Sequence, residues 1–555
     1  MEKDIRFIRF GIIYENNSMF HWEYEMVQAM LGLPGVSIEL QVHLISPVQD
    51  AVSNNSLLWQ GYLKFFHNTL QTRKITSDNL YQTPLVTCLA PPQAEAGPAL
   101  PKAIVAQVRE AKLDFILNFS SRLLIGPVLA ATRFGIWEFE HGKAPSFPFS
   151  FMGLREIYCH EPTTSVALRR LATDGPGTVL RQGVFRTQLH SPSQAAAALY
   201  TECARWPADV CRQLLAGLDL PSLALETSAT EPTRAPTNAA VLAFMARLAK
   251  YKLQNIYCTF LRDDQWNMGV VNRPIRDFLL PDGLLGATVD APPLLNRNVF
   301  YADSFARQEE EGTVVYFELY DWRTRRGNIS RLPYPWQPGQ APTAVLSFPY
   351  HLSYPFLYGP YCIPETWVTN SVRMYDLRAP VTDPLAGKVL LEIPAVDTTL
   401  LEHEGRYWLF YTRADYDPML HLFISYADAL DGPWHDHPQN PVKINIRSAR
   451  PAGPFFTEGG KLYRPTQDCI RDYGAALTFN EVLTLTPTAY EEREVANMRS
   501  PHPSYPAGMH TVMAIDDTHT LIDFKRYRFI PMATLVTVWI RVLGLMQRLK
   551  AGRKP

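Results

Sequence analysis

The sequence predicts a multidomain chain: an α/β domain over residues 1–214, a linker over 215–250, an all-β propeller over 251–525 and a basic amphipathic helix over 526–555. Three observations carry that prediction. Apolar strands alternate with helical stretches through the first domain, which implies a mostly parallel sheet. After about residue 255 the pattern changes to short aromatic strands separated by Gly, Pro and Asp. Several of these later units open on a polar residue, as in Asp397-Thr-Thr-Leu-Leu-Glu-His-Glu-Gly-Arg-Tyr-Trp-Leu-Phe-Tyr-Thr412 and Arg447-Ser-Ala-Arg-Pro-Ala-Gly453. Repeated openers of that kind line the central funnel of a propeller.

Taken in order, Ile5 to Tyr14 reads as a first strand, Trp22 to Leu31 as the following helix and Val36 to Leu44 as a second strand. A helix from Lys102 to Lys112 leads into the apolar strand Leu113 to Asn118, and Ile125 to Thr132 reads as helix again. The Pro-, Ser- and Thr-rich run from Gly217 to Thr237 marks the linker. Thr313 to Tyr320, Tyr407 to Tyr411 and Leu422 to Tyr426 are strands of the propeller. Past Pro531 the chain reads as a helix with Leu535, Trp539, Val542 and Met546 on one face and Arg541 interrupting the apolar run. Such a helix is short of the roughly 20 apolar residues that span a bilayer. Two readings stay open: residues 529–555 lie on an anionic membrane surface, or they pack on protein.

Composition narrows the function classes. A chain of 555 residues needs more than one core, and 46% hydrophobic with 12% aromatic residues describes a folded protein. The net charge of -1 argues against a nucleic-acid partner. Seven scattered cysteines show no CxxC spacing, so neither a zinc site nor a disulfide framework is expected, and no metal is. The N-terminus interleaves charges with apolar residues and does not read as a signal peptide, so the expected location is cytoplasmic, peripheral at the inner face of the membrane if the terminal helix docks there.

Two resemblances add to this reading. Leu113 to Asn118, Gly135-Ile-Trp-Glu-Phe-Glu-His-Gly142 and Thr163 to Gly177 resemble the formyltransferase fold. That family uses an Asn-x-His pair and a downstream Asp. Here His141 matches the His, Phe139 replaces the Asn, and Pro176 falls near the Asp position. The resemblance therefore implies the fold without formyl transfer, and folate is not expected as cofactor. Glu138, Glu140 and His141 form a secondary polar site or cap a strand end.

The C-terminal half resembles the five-bladed propeller of family-43 glycoside hydrolases. Tyr301-Ala-Asp-Ser304 looks like the opener that carries the base, and Val396-Asp-Thr-Thr399 like the one whose Asp tunes the acid. Where the acid's Glu-Gly-Pro would stand, this chain has Ala449-Arg450-Pro451. An arginine cannot donate that proton, so Glu365 is the spare acid and hydrolysis the weaker alternative. The fork of an arginine instead binds phosphate or carboxylate.

His351-Leu-Ser-Tyr-Pro-Phe356, Ile363-Pro-Glu365, Asp397-Thr-Thr399, Ser448 to Gly453, Arg464-Pro-Thr-Gln-Asp468, Tyr473-Gly474 and Gly508-Met-His-Thr511 together resemble the N-terminal region of glucosamine inositolphosphorylceramide transferases and related bacterial proteins. In the plant enzymes sugar transfer is attributed to a following glycosyltransferase domain, without which this sequence ends. The resemblance implies a transferase of surface glycan or glycolipid biosynthesis acting on an anionic, phosphorylated or nucleotide-linked sugar. On that reading no cofactor is fixed, a nucleotide sugar is the expected donor and a sugar or glycolipid the expected substrate. Asp303, Asp397 and Glu365 are the candidate catalytic residues. Arg450, Arg464, Gln467, Asp468, His351 and Tyr354 are the candidate binding residues. Five of them have a plainer alternative: Asp303 as a strand terminator, Asp397 and Asp468 as blade staples, His351 as a buried histidine, Tyr354 as core or a sugar-stacking platform. A non-catalytic glycan-binding scaffold is the remaining function class.

Overall fold

A computed structural model describes residues 7–15, 18–45, 56–66, 69–76, 83–89, 100–120, 124–141, 151–172, 177–223 and 236–530. The chain divides into two units, Met1–Lys252 and Leu253–Pro555.

The first unit is built on a seven-stranded sheet in the order Leu85–Leu89, Val36–Ile45, Ile8–Glu15, Phe115–Asn118, Ile136–His141, Thr163–Arg170, Thr178–Arg186. The first five strands run parallel, and Thr163–Arg170 is antiparallel to both its neighbours. Parallel strands are covered on both faces, which is why the run Phe10 to Tyr14 is buried without a break instead of alternating. Helix Lys102–Glu110 buries Ile104, Val105 and Val108, a spacing that gives one apolar stripe. The stretch expected as helix at Ile125 to Thr132 is a single 3-10 turn, Pro127–Ala130. Gly126 enters it at φ 82° and Pro127 removes a backbone donor, so there is no room for a longer helix.

The second unit consists of five antiparallel sheets, the five blades implied by the resemblance. Blade one joins the two ends of the domain: Arg262–Val271 pairs with Thr520–Phe529 over its whole length, and Val512–Ala514 and Val289–Asp290 flank them. Blade two is Val299–Glu309 to Thr343–Leu346, blade three Ser353–Tyr358 to Lys388–Leu391, blade four Ala395–His403 to His435–Asp436, and blade five Phe456–Glu458 to Tyr490–Met498. Aromatic and aliphatic side chains such as Phe305, Phe356, Ile363, Leu400 and Tyr411 fill the space between blades.

Two expectations at the edges of the propeller need correcting. The expected linker 215–250 contains the start of a helix, Asn238–Phe260. Residues 238–250 are rich in Ala and Leu, and the Thr237 hydroxyl accepts the Ala240 N–H at 3.2 Å, so helix begins where the Pro- and Thr-rich composition stops. Residues 526–529 of the expected terminal helix instead complete the closing strand. The remainder, 531–555, lies outside the described residues. Among the described residues no helix is long and apolar enough to cross a membrane.

Candidate functional site at the propeller floor

Successive blades place one polar residue each at a kink in their first strand. Asp303, Tyr354 and Asp397 occupy this position in blades two to four, with φ of 52°, 44° and 51°. Non-glycine residues seldom adopt such backbone, and it persists where surroundings enforce it. Each sits at a break in register, between Ala302 and Phe305, Ser353 and Phe356, and Val396 and Thr399. The kink turns each backbone N–H away from the ladder, and a carboxylate takes it. Asp523 Oδ2 accepts from Asp303 at 3.0 Å, Asp303 Oδ2 from Tyr354 at 3.1 Å and Glu365 Oε2 from Asp397 at 3.2 Å. Arg450 and His510 stand at the corresponding openers Ala449-Arg450-Pro451 and Met509-His510-Thr511, the latter held by Asp523 Oδ1, which accepts the N–H groups of His510 and Thr511 at 2.8 and 2.9 Å.

The side chains converge as well. Asp397 Oδ2 accepts from Arg450 Nε at 2.6 Å and from Gln467 Nε2 at 2.7 Å. Arg450 lies over the Tyr473 ring at 4.9 Å and sets Nη2 4.0 Å from Glu365 Oε2. His510 stacks on Trp266 with centroids 3.9 Å apart, faces Asp523 through Nδ1 and reaches within 3.5 Å of Asp303 Oδ1 through Nε2. Glu318, opposite Ala302 in the blade-two ladder, stands 3.7 Å from His351 Nε2.

Burial and crowding divide these acids by protonation state. Burial, followed by repulsion from neighbouring carboxylates, pushes Asp303 and Glu318 well above the usual carboxylate range. Burial and the Asp397 charge push Glu365 up to about 8, against the pull of Arg450. Burial acts on Asp523 too, but the His510 imidazole and the two backbone N–H groups outweigh it and leave that group below its ordinary value. Protonated and ionised carboxyls side by side are what acid–base chemistry requires. Asp303, His510 and Asp523 also bring ligating atoms within 4.8 Å of one another and are the residues, among those described, that could hold a metal ion. The sequence led to the expectation of none.

A pH test follows from Glu365. Its pKa in the folded protein lies above its unfolded value, so the native state binds the extra proton and stability falls as pH rises from about 4.5 to about 8. Glu365→Gln removes that slope, which amounts to about 1.4 kcal/mol for each pH step inside the window. Denaturant melts of both proteins at pH 5 and pH 8 check it; parallel losses in the two would show that Glu365 is ionised in the fold.

The structure uses the other expected residues differently. Arg464 is buried, with Nε and Nη2 on Glu492 at 2.8 and 2.6 Å, Nη2 also on Ser448 O and Nη1 on Ala449 O. Its fork is fully occupied inside blade five, which corrects the substrate-binding role. Asp468 accepts from Ile470 N and Asn497 Nδ2, holding a loop and the outer strand of blade five. Gln467 holds Asp397 and Pro451 O, so it positions. His351 accepts the Gly327 N–H at 2.9 Å, and burial lowers its pKa. Tyr354 is fully buried, its hydroxyl between Thr399 Oγ1 and the Gly453 N–H, both at 2.8 Å. In the first unit Glu138 pairs with Arg169 and Asn118, Glu140 lies 3.3 Å from Arg169, and His141 pairs its backbone with Val166. Phe139 packs on Trp22 and Trp206, so apolar core fills the position where a formyltransferase would have its Asn.

Fold and site define a two-unit protein, a parallel α/β sheet and a five-bladed propeller whose floor gathers buried acids around one arginine. Residues 295–504 match the family described as "Glucosamine inositolphosphorylceramide transferase 1, N-terminal", and the chain resembles the N-terminal region of those transferases. It is 31% identical over 204 residues to glucosamine inositolphosphorylceramide transferase 1 of Oryza sativa subsp. indica and 32% identical over 214 residues to that of Arabidopsis thaliana. Each match covers 35% of this chain, and the chain spans 27% of the length of these relatives. Similar solved structures include glycinamide ribonucleotide transformylase 1 from Symbiobacterium toebii, 13% identical over 38% of this chain and 89% of that one, TM-score 0.25. A thermostable family-43 glycoside hydrolase is 14% identical over 37% of this chain and 77% of that one, TM-score 0.27.

Proposed function

We propose that this protein is a transferase of glycolipid biosynthesis whose propeller floor receives an anionic sugar, phosphorylated or nucleotide-linked. One observation carries the reading: Arg450 hydrogen-bonds Asp397 through Nε, leaving its terminal nitrogens beside a floor rich in acids. A guanidinium whose outer fork is free takes a phosphate in bidentate fashion. Asp303 Oδ1 and Glu318 Oε1 accept no hydrogen bond; the hydroxyl or amino donors of the same sugar would satisfy them. Glucosamine, named in the relatives, offers both kinds of donor. Glu365, protonated at neutral pH, is the acid; Asp303, whose unsatisfied Oδ1 lies beside His510, holds the sugar at the floor; and Asp397 holds Arg450 in place.

The test is transfer itself. Full-length protein is incubated with labelled nucleotide sugars and inositolphosphorylceramide, and labelled glycolipid is measured by chromatography. Product formation that falls at least about a hundredfold in Glu365→Gln supports the assignment. Tight sugar binding with no turnover would move the protein to the glycan-binding class, and release of free sugar alone would make it a hydrolase.

A further inference from the structure

The helix Asn238–Phe260 is apolar on two sides. One side buries Val241 and Phe244 against Trp59 and Tyr62. The other exposes Leu242 (59%), Met245 (39%), Leu253 (69%), Ile256 (45%) and Tyr257 (43%). At about 100° per residue these five fall within roughly 120° of one another, a single stripe along a helix about 35 Å long. Scattered exposed leucines need no explanation; this row does, because exposed Ala246 and Ala249 fill the turns between Met245 and Leu253 and keep the side apolar along the helix. The helix contains no Asp or Glu, and its basic residues are Arg247, Lys250 and Lys252. Lys250 and Lys252 project on opposite flanks of the stripe. At its far end Tyr257 stacks on Phe529, which is 61% exposed, with centroids 6.4 Å apart, and Ile530 N–H donates to Leu261 O.

We propose that this stripe docks the protein on an anionic lipid surface. An apolar face flanked by lysines, with aromatic rings at one end and no carboxylate on the helix, has the charge and chemistry of an interfacial helix. Charge decides against a second copy of the chain as occupant: pairing two stripes would bring Lys250 and Lys252 of both helices together with no acid on either to compensate them. The inference is independent of how the sugar site is assigned and rests on residues outside it.

Flotation of the full-length protein with phosphatidylcholine vesicles, with and without phosphatidylserine, tests it. The expected result is co-flotation with the phosphatidylserine vesicles, weakened by salt. Leu253→Glu with Ile256→Glu, both at exposed positions, reduces partition at least about tenfold while leaving the melting temperature and the compact size unchanged; Lys250→Glu with Lys252→Glu selectively removes the preference for anionic vesicles. Wild type that ignores both vesicles overturns the proposal, as does a Leu253/Ile256 variant that floats like wild type. A wild-type dimer by light scattering that the same variant dissociates, without vesicle binding, assigns the stripe to self-association and also overturns it.

Discussion

Arg464→Ala is expected to destabilise the propeller by about 3–5 kcal/mol, because removing one partner strands a buried charge on the other. The side chains of Arg464 and Glu492 are 1% and 3% exposed, and Lys443, at 2.7 Å, is the other cation on Glu492 among the described residues. Burial works against the ionised form of Glu492, yet the charges of Arg464 and Lys443 hold it down to about 2. A carboxylate whose folded pKa is depressed contributes stability above its unfolded value, about 4.5, and loses it as pH falls toward 2. Denaturant melts at pH 7 should show the full loss, and acid unfolding of the variant should begin at higher pH than in wild type. A loss under about 1 kcal/mol would place the pair in solvent and contradict the geometry.

Asp303→Asn is expected to do the opposite to stability while removing function. Asp303 is buried among like charges, so the native state holds its proton and folding becomes costlier as pH rises above the unfolded carboxylate value. A neutral side chain of the same shape still accepts the Tyr354 N–H. The variant should therefore melt higher than wild type at pH 8, by about 2–4 °C for each kcal/mol relieved, and lose glycolipid product at least about a hundredfold. Stability gained as activity is lost is the signature of a working site. A variant less stable than wild type at pH 8 would mean that Asp303 is a structural staple.

The sequence reveals the floor where blades repeat and hides it where they do not. Asp303, Asp397 and Arg450 open units of recognisable pattern, and Glu365 follows from the need for a spare acid. His510 lies in the Gly508-Met-His-Thr511 motif without any residue spacing that marks it as part of the floor. Asp523 and Glu318 sit inside ordinary apolar strands, Leu521-Ile-Asp-Phe524 and Tyr316-Phe-Glu318, and nothing local distinguishes them. Arg464 shows why a dipeptide is insufficient. Arg450-Pro451 and Arg464-Pro465 look alike, but the first falls at a blade opener and the second within the strand Lys461–Asp468. Side chains alternate along a strand, so Gln467, three residues on, turns to Asp397, whereas Arg464 and Asp468 lie on the opposite face and reach across Ala476–Leu485 to Glu492 and Asn497 on the outer strand. In the first unit the parallel strands are legible from their apolar runs, but the single turn at Pro127–Ala130 is too short for periodicity to distinguish from a helix.

Arg450 and Asp303 are proposed to hold an anionic sugar together at one floor, and calorimetric titration can decide it. Wild type, Arg450→Lys and Asp303→Asn are each titrated with glucosamine phosphate and with unphosphorylated glucosamine. Lysine keeps the charge on Asp397 and loses the fork, so the fold survives while bidentate contact does not. Wild type should prefer the phosphorylated sugar, Arg450→Lys should lose that preference about tenfold or more, and Asp303→Asn should weaken both ligands. Equal affinity of wild type for the two sugars, with both variants unaffected, would contradict a shared anionic-sugar site.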